Sequence, residues 1–396
     1  MKRLFSLAAL IAALPSFGQE VTVRKAASDL NPPLYIADVK APGPIQTQLR
    51  STLRRSNWFK IVKTPSKARY VLRASYARTT AAVVKMRLSA GDGQVLSFKE
   101  IGRGADADRV VYAAVDTLIE KLFDNPGPCN SRIAFVLGQK GRKEIFTCNF
   151  DGTAPRQLTR NGTISTEPAW GPHGEQLVYT LYNRNRTAII LVDTKRRRQR
   201  HIAGFRGLNS GASIAPGGGR IALCLSLNDQ VDLYSVSMTG EPEKRLTNGP
   251  AVESSACWSP NGRRLCYVSD RAGRPHLYLR ALGGGRSTRL ATDNAEQVSP
   301  DWSSISGKIC FSTRKGGRYV IAVTDPGAPG DKAKVVTSGQ GDWESPSWAP
   351  DGRHVVCIHT YAGRRRLVMV DTLSGRVIPI LQKQNISLPS WGPSAN

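Results

Sequence analysis

Short apolar runs separated by turns fill the last two-thirds of the chain, and they return on a fixed beat. Trp170, Ile214, Trp258, Trp302, Trp348 and Trp391 follow one another at intervals of 44, 44, 44, 46 and 43 residues. A new apolar strand begins seven residues after each of the first five, at Leu177, Ile221, Leu265, Ile309 and Val355. Between anchor and strand lies a turn: Pro172-His173-Gly174, Pro216-Gly217-Gly218, Pro260-Asn261-Gly262, Ser304-Ile305-Ser306-Gly307 or Pro350-Asp351-Gly352. Pro fixes one turn dihedral, and Gly or Asn supplies the positive φ of a tight hairpin. Third strands follow at Ala188–Val192, Asp232–Ser237, His276–Arg280, Tyr319–Val323 and Leu367–Val370, and fourth strands end at Ile202, Leu246, Leu290, Val336 and Ile380. Four short strands per forty-odd residues predict a β-propeller with one blade per repeat.

The broken repeat sets the blade count. Only Gly392–Asn396 follows Trp391, so this anchor has no second strand of its own. At the other end, Ile133–Val136 reads as a second strand without an anchor before it, with Ile145–Cys148 third and Arg156–Thr159 fourth. The C-terminal strand must complete the first blade. Six blades closed by an N-to-C overlap are expected, which leaves no open sheet edge in the ring.

Residues 19–127 lack the repeat. Val21–Arg24 can be extended, and Pro32–Pro33 breaks any helix there. Ile45, Leu49 and Leu53 predict an amphipathic helix over Pro44–Arg55. Tyr70–Tyr76 and Ala82–Leu88 read as strands, and Asp92-Gly93 turns into Gln94–Ile101. Val110, Val111, Ala114, Val115, Leu118 and Leu122 mark a second helix over Ala105–Phe123. Asn125-Pro126-Gly127-Pro128 ends it as a short, stiff linker. The expected organisation is a signal peptide (1–18), a small N-terminal α/β domain (19–127) and an all-β six-bladed propeller (128–396).

The signal peptide rests on Lys2 and Arg3, the apolar stretch Leu4–Leu14, and Ser16 and Gly18 ahead of a cleavage point. A short membrane anchor or a buried helix is the other reading, although the stretch is short for a bilayer span. No other segment has the roughly 20 apolar residues that a spanning helix needs. The formal charge is +26, or +24 without Lys2 and Arg3. The basic runs Lys195–His201, Arg263–Arg264 and Arg364–Arg366 sit on separate blades, and export argues against a nucleic-acid partner. A basic periplasmic surface facing anionic lipid, cell-wall or protein partners is one expectation, and solubility alone is the other. Seven cysteines leave at least one unpaired within the chain. Cys224, Cys266, Cys310 and Cys357 occupy similar strand positions and read as small core hydrophobes; a Cys257–Cys266 disulfide is the alternative.

Signal peptide, small α/β domain and repeated W-[SGA]-P-x-G turns, in that order, resemble the TolB family, the periplasmic components of Tol-Pal systems. The junction from Asp116-Thr117-Leu118-Ile119-Glu120-Lys121-Leu122 to Ser131-Arg132-Ile133-Ala134-Phe135-Val136 carries the likeness most specifically. Val268–Pro275 and Leu53–Phe59 are also similar to family segments. The resemblance implies a binding hub, monomeric, peripheral to the membrane and without catalysis or cofactor. Its propeller face would bind Pal, a peptidoglycan-associated outer-membrane lipoprotein, and other outer-membrane lipoproteins. Its mature N-terminus, about Glu20–Leu34, would engage the inner-membrane protein TolA and change between docked and free.

Val21 and Val23 alternate with Thr22 and Arg24, ahead of Lys25, as in a strand that adds to a partner's sheet edge. An ordinary first strand or a disordered terminus fits the same pattern. Glu167, Asn209, Glu253, Gln297 and Glu344 precede successive anchors and are expected around the central channel. They read as a polar, partly acidic partner-binding rim, or as capped strand ends. This chain departs from the family pattern at Ile214, at the Pro-free turn Ser304–Gly307, and in lacking Pro before Trp258. There is no G-x-S-x-G elbow, phosphate loop or H-E-x-x-H helix. His354 and His359 are close in sequence, but their odd spacing puts them on opposite strand faces. The competing expectation is a propeller enzyme, or a binder of a small ligand or cation held in the channel near Glu167, Glu253 and Glu344.

Overall fold

A computed structural model describes residues 30–394 apart from 103–106, 140, 185, 228–229, 291–294 and 328–332, with the side chain of residue 107 also left aside. The expected strand at Val21–Arg24, with Val21, Val23 and Lys25, lies outside the described residues.

The N-terminal unit is a five-stranded sheet with two helices. Its elements are β1 (Pro33–Lys40), α1 (Gly43–Arg55), β2 (Lys60–Val62), β3 (Tyr70–Arg78), β4 (Ala82–Ala90), β5 (Val95–Gly102) and α2 (Ala107–Phe123). The strand order is β2-β1-β3-β4-β5, with β1 parallel to both neighbours and the remainder antiparallel. Alternation decides the faces. Leu72, Ala74, Val84, Met86 and Leu88 point inward and are buried, and α1 contributes Leu49 and Leu53 to the same core. Arg54 and Arg55 lie in the last turn of α1, where cations suit the helix dipole. Asn57 follows at φ 57°, the left-handed conformation that Asn tolerates just past a helix end.

Strand β1 departs from the sequence expectation, which saw only a break at Pro32–Pro33. Pro33 is the first strand residue, where a missing N–H is tolerated. The partners of β1 lie near Lys60 and Tyr70, so nothing local announces it.

From Arg132 onward the chain forms six four-stranded blades. In blades two to six the innermost strands are Ile164–Trp170, Asn209–Ile214, Glu253–Trp258, Gln297–Trp302 and Asp342–Trp348. In blade one the inner strand is the C-terminal Ile386–Trp391, paired antiparallel with Arg132–Gln139 through Ile386↔Leu137 and Trp391↔Ile133. The six inner strands neighbour one another in a closed ring.

The anchors act as fasteners between blades. The backbone N–H groups of Trp170, Trp348 and Trp391 donate to Ser390 Oγ (3.4 Å), Asp301 Oδ2 (2.7 Å) and Ser347 Oγ (3.0 Å) of the preceding blade. The indoles of Trp258 and Trp348 donate to the carbonyls of Ser213 and Asp301. Ile214 keeps the apolar contact without the indole bond. All seven cysteines are buried free thiols, with Cys257 and Cys266 directly opposite on paired strands. Burial pushes the Cys148 and Cys224 thiols up to about 12.

The linker is clamped to α2. The Asp116 carboxylate accepts the N–H groups of Cys129 (2.8 Å) and Asn130 (2.7 Å). A Cβ at Gly127 would come within 2.0 Å of Asp116 Oδ1, so only glycine fits that approach.

Candidate functional site

Each inner strand carries a bulge three residues before its anchor. Glu167, Gly211, Ser255, Ser299, Ser345 and Leu388 occupy this place, all with φ between 47° and 61°. The ladder register shifts at the same point in every blade. The rim residues expected from sequence do not share one register: Glu167 sits at the bulge itself and the other four precede it. Asn209, Glu253 and Gln297 stand five residues before their anchors and turn into the protein, where they are buried. Asn209 bonds the backbone of Phe205 and Gly207. Glu253 is ion-paired with Arg271, and Gln297 accepts the N–H of Leu277.

Glu167 and Glu344 stand three and four residues before their anchors and remain half-buried. Glu167 Oε2 accepts from Thr180 Oγ1 (2.7 Å) and from the N–H of Gly211 (2.9 Å). Glu344 lies 3.7 Å from Arg365 in a pair open enough to exchange partners. The three glutamates have separate partners, and among the described residues no group of His, Cys, Asp or Glu could hold a metal ion. His354 and His359 are likewise apart: the first is fully buried, and the second stacks on Trp343 with ring centroids 3.9 Å apart.

The ring has two unlike ends. The starts of the inner strands share one end with the hairpins that follow the second strands, as the pairing Tyr182↔Ile164 shows. The turns after the anchors lie at the other end, and the N-terminal unit docks there. Arg55 donates to the carbonyls of Asp151 and Pro379, and Tyr112 reaches Asp151 and Thr153. None of these bonds reaches the first end, which exposes Tyr182 (37 %), Val252 (50 %) and Tyr361 (49 %).

At the docked end a buried polar cluster joins the two units. Trp58 Nε1 donates to Asp351 Oδ2 (3.1 Å), and Asn57 Nδ2 donates to Asp371 Oδ2 (3.0 Å). His354 places Nδ1 2.6 Å from Asp351 and Nε2 3.3 Å from Asn57. Arg353, only 5 % exposed, grips Asp371 through Nε (3.2 Å) and Nη2 (2.7 Å), with its guanidinium 4.7 Å from the Trp58 ring. The same guanidinium donates to Leu30 O (2.9 Å) and Asn31 Oδ1 (2.7 Å), and so fixes the start of the described chain. Burial pushes the Asp371 carboxyl up, but Arg353 and the His354 charge outweigh it and hold the group well below the usual carboxylate range.

A family model described as the TolB beta propeller domain matches residues 119–395. The chain belongs to the TolB family. Among curated TolB-family relatives, the Tol-Pal system protein TolB of Desulfosudis oleivorans is 31% identical over 153 residues, 39% of this chain and 35% of that protein. The Protein TolB homolog of Chlorobium luteolum is 33% identical over 161 residues, 40% of this chain and 36% of that protein. These alignments therefore span little more than a third of the relatives' length. The crystal structure of TolB from Acinetobacter baumannii matches with a TM-score of 0.82 at 22% identity, covering 92% of this chain and 97% of that one. At that identity the match speaks for the fold. It extends the TolB-like architecture over the N-terminal unit as well as the propeller.

Sequence reasoning missed the junction cluster of this TolB-family chain. Asp351 read as a turn residue and Asn57 as part of a family-like segment. The signals were a basic Arg353-His354 pair at a strand start and an Asn just past a helix end, neither of which names its partner.

Proposed function

We propose that the chain is a non-enzymatic scaffold of a Tol-Pal system in the periplasm. Its propeller binds a Pal-like, peptidoglycan-associated outer-membrane lipoprotein, and its N-terminal segment with Val21, Val23 and Lys25 engages a TolA-like inner-membrane protein. The working division is 1–18, 19–127 and 128–396, with roles in outer-membrane integrity and constriction at division. The observation that carries this reading is the propeller end left clear by the N-terminal unit. It combines half-buried Glu167 and Glu344 with exposed Tyr182, Val252 and Tyr361 around the ring of inner strands. Aromatic and apolar anchors within a polar surround suit a protein partner. Of the five rim residues, Asn209, Glu253 and Gln297 support the rim from within, and Glu167 and Glu344 face the partner. Arg353 ties the N-terminal segment to blade six through Leu30 and Asn31, which gives that segment a defined point of departure.

The test is capture of a peptidoglycan-associated lipoprotein from periplasmic extract by the mature chain. Glu344→Arg, and separately Glu167→Arg with Glu344→Arg, should cut recovery at least tenfold while Glu344→Arg leaves the melting temperature unchanged. Undiminished recovery by both variants refutes the rim. Recovery of no lipoprotein, together with a metal-dependent hydrolase activity, refutes the scaffold.

A further inference from the structure

The helices of the N-terminal unit cover one side of its sheet, and among the described residues the other side is bare. On the bare side the registers align two adjacent cross-strand rows. One runs Asp38–Arg73–Arg87–Ser97 and the next runs Lys40–Ser75–Lys85–Lys99. Arg73 therefore stands directly opposite Arg87, and Lys85 directly opposite Lys99. Like charges facing each other across a strand pair are destabilising. Asp38 is the one acidic side chain in the two rows. Lys40, Arg73, Lys85, Arg87 and Lys99 make no ion pair or side-chain hydrogen bond among the described residues. They line a shallow depression of about 550 Å³ across four strands.

Apolar side chains flank this band. Val95 on the row before it and Ile101 on the row after it are 45 % and 57 % exposed. Unmatched cations held on a sheet, with exposed apolar residues at both margins, suit a surface that is anionic at its headgroups and apolar just beneath. The chain's own segment 19–29 is a poor occupant: Arg24 and Lys25 balance Glu20 and Asp29, which leaves it no net negative charge to offer these cations.

We propose that this bare sheet face docks the chain on an anionic phospholipid surface. The like-charge pairs then persist because bound headgroups neutralise them. Binding is electrostatic, weakens with salt, and is independent of the propeller end assigned to a protein partner.

The experiment is co-sedimentation of the mature chain with vesicles of phosphatidylethanolamine and phosphatidylglycerol, against phosphatidylcholine alone. Binding is expected to the anionic vesicles only, and to fall sharply between about 50 and 500 mM NaCl. Lys85→Gln with Arg87→Gln should lower partitioning roughly thirtyfold, at about fivefold per cation. The same double variant should melt no lower than the parent, since it removes one member of each like-charge pair. Arg364→Gln with Arg366→Gln, on the propeller, should bind as the parent does. Absence of anionic-vesicle binding, equal binding to neutral vesicles, or full binding by the Lys85/Arg87 variant overturns the proposal. So does loss by that variant of binding to purified peptidoglycan rather than to lipid.

Discussion

Replacing Arg353 by Met removes the guanidinium that is paired with the buried Asp371 carboxylate. Methionine keeps an unbranched apolar stem but loses the guanidinium, which is the part that lies over the Trp58 ring. Asp371, itself fully buried, keeps Asn57, the Leu373 N–H and Ser374 as hydrogen-bond donors. It loses its only cationic hydrogen-bond donor among the described residues. Breaking a buried ion pair from one side costs about 3–5 kcal/mol, because the remaining charge is stranded. Loss of the contact with the Trp58 ring and of the bonds to Leu30 and Asn31 falls within that range rather than adding to it in full. Urea unfolding followed by Trp fluorescence measures the change, with hydrogen exchange over residues 30–40 as a second readout. Exchange there should accelerate, since Arg353 is what holds Leu30 and Asn31.

Asp371 adds a pH signature to the same variant. Its folded-state pKa is depressed, so the stabilisation is present above the ordinary carboxylate value and is lost as pH falls through the folded value. The advantage of the parent over Arg353→Met should therefore hold from neutral pH to about 4 and shrink below that. Pairing the variant with Asp371→Asn should recover at least about 2 kcal/mol, the coupling expected of two groups in contact. A loss under about 1 kcal/mol, or additive effects in the double variant, would falsify the account of the junction.

Two further outcomes follow from closure and from the linker. Deleting Ser387–Asn396 removes buried Trp391 and unpairs Arg132–Gln139, so the melting temperature should drop by about 10 °C or more; an unchanged value refutes closure by this strand. Burial pushes Asp116 up to about 7 against the N–H groups of Asn130 and Cys129, which pull it down. The folded state then binds the proton more tightly than the unfolded one, so this contribution is full below about pH 4 and declines as pH rises through 7, by at most about 4 kcal/mol. Asp116→Asn should remove that decline, and a parent-minus-variant difference that is flat with pH refutes it.

What was legible in the sequence was whatever repeats or acts locally. The anchors, the turns and the split first blade follow from spacing, because a hairpin turn and an apolar strand are set by adjacent residues. Helices α1 and α2 were legible for the same reason. Strand β1 was not, since its partners come after an intervening helix. The rim was legible only in part. Glu253 and Glu344 look alike as acidic residues ahead of a Trp, yet they stand five and four residues before their anchors, and strand alternation sends those two positions to opposite faces. The junction was least legible, because Asn57 and Asp371 are 314 residues apart and each meets its partner only once both units are built.

Closure by residues 386–391 has a consequence for synthesis. The blade begun first is completed last, so the edge of Arg132–Gln139 must wait unpaired while some 250 residues are added. The buried junction cluster waits almost as long, because His354 and Asp371 arrive late too. A nascent chain therefore adds blade after blade with its first blade still open and its first unit held only by early contacts such as those of Arg55 and Tyr112 with Asp151 and Thr153. Long-range pairings of this kind are slow, since the closure entropy is spent before the contacts form. That interval is when this molecule most needs a chaperone on its open edge.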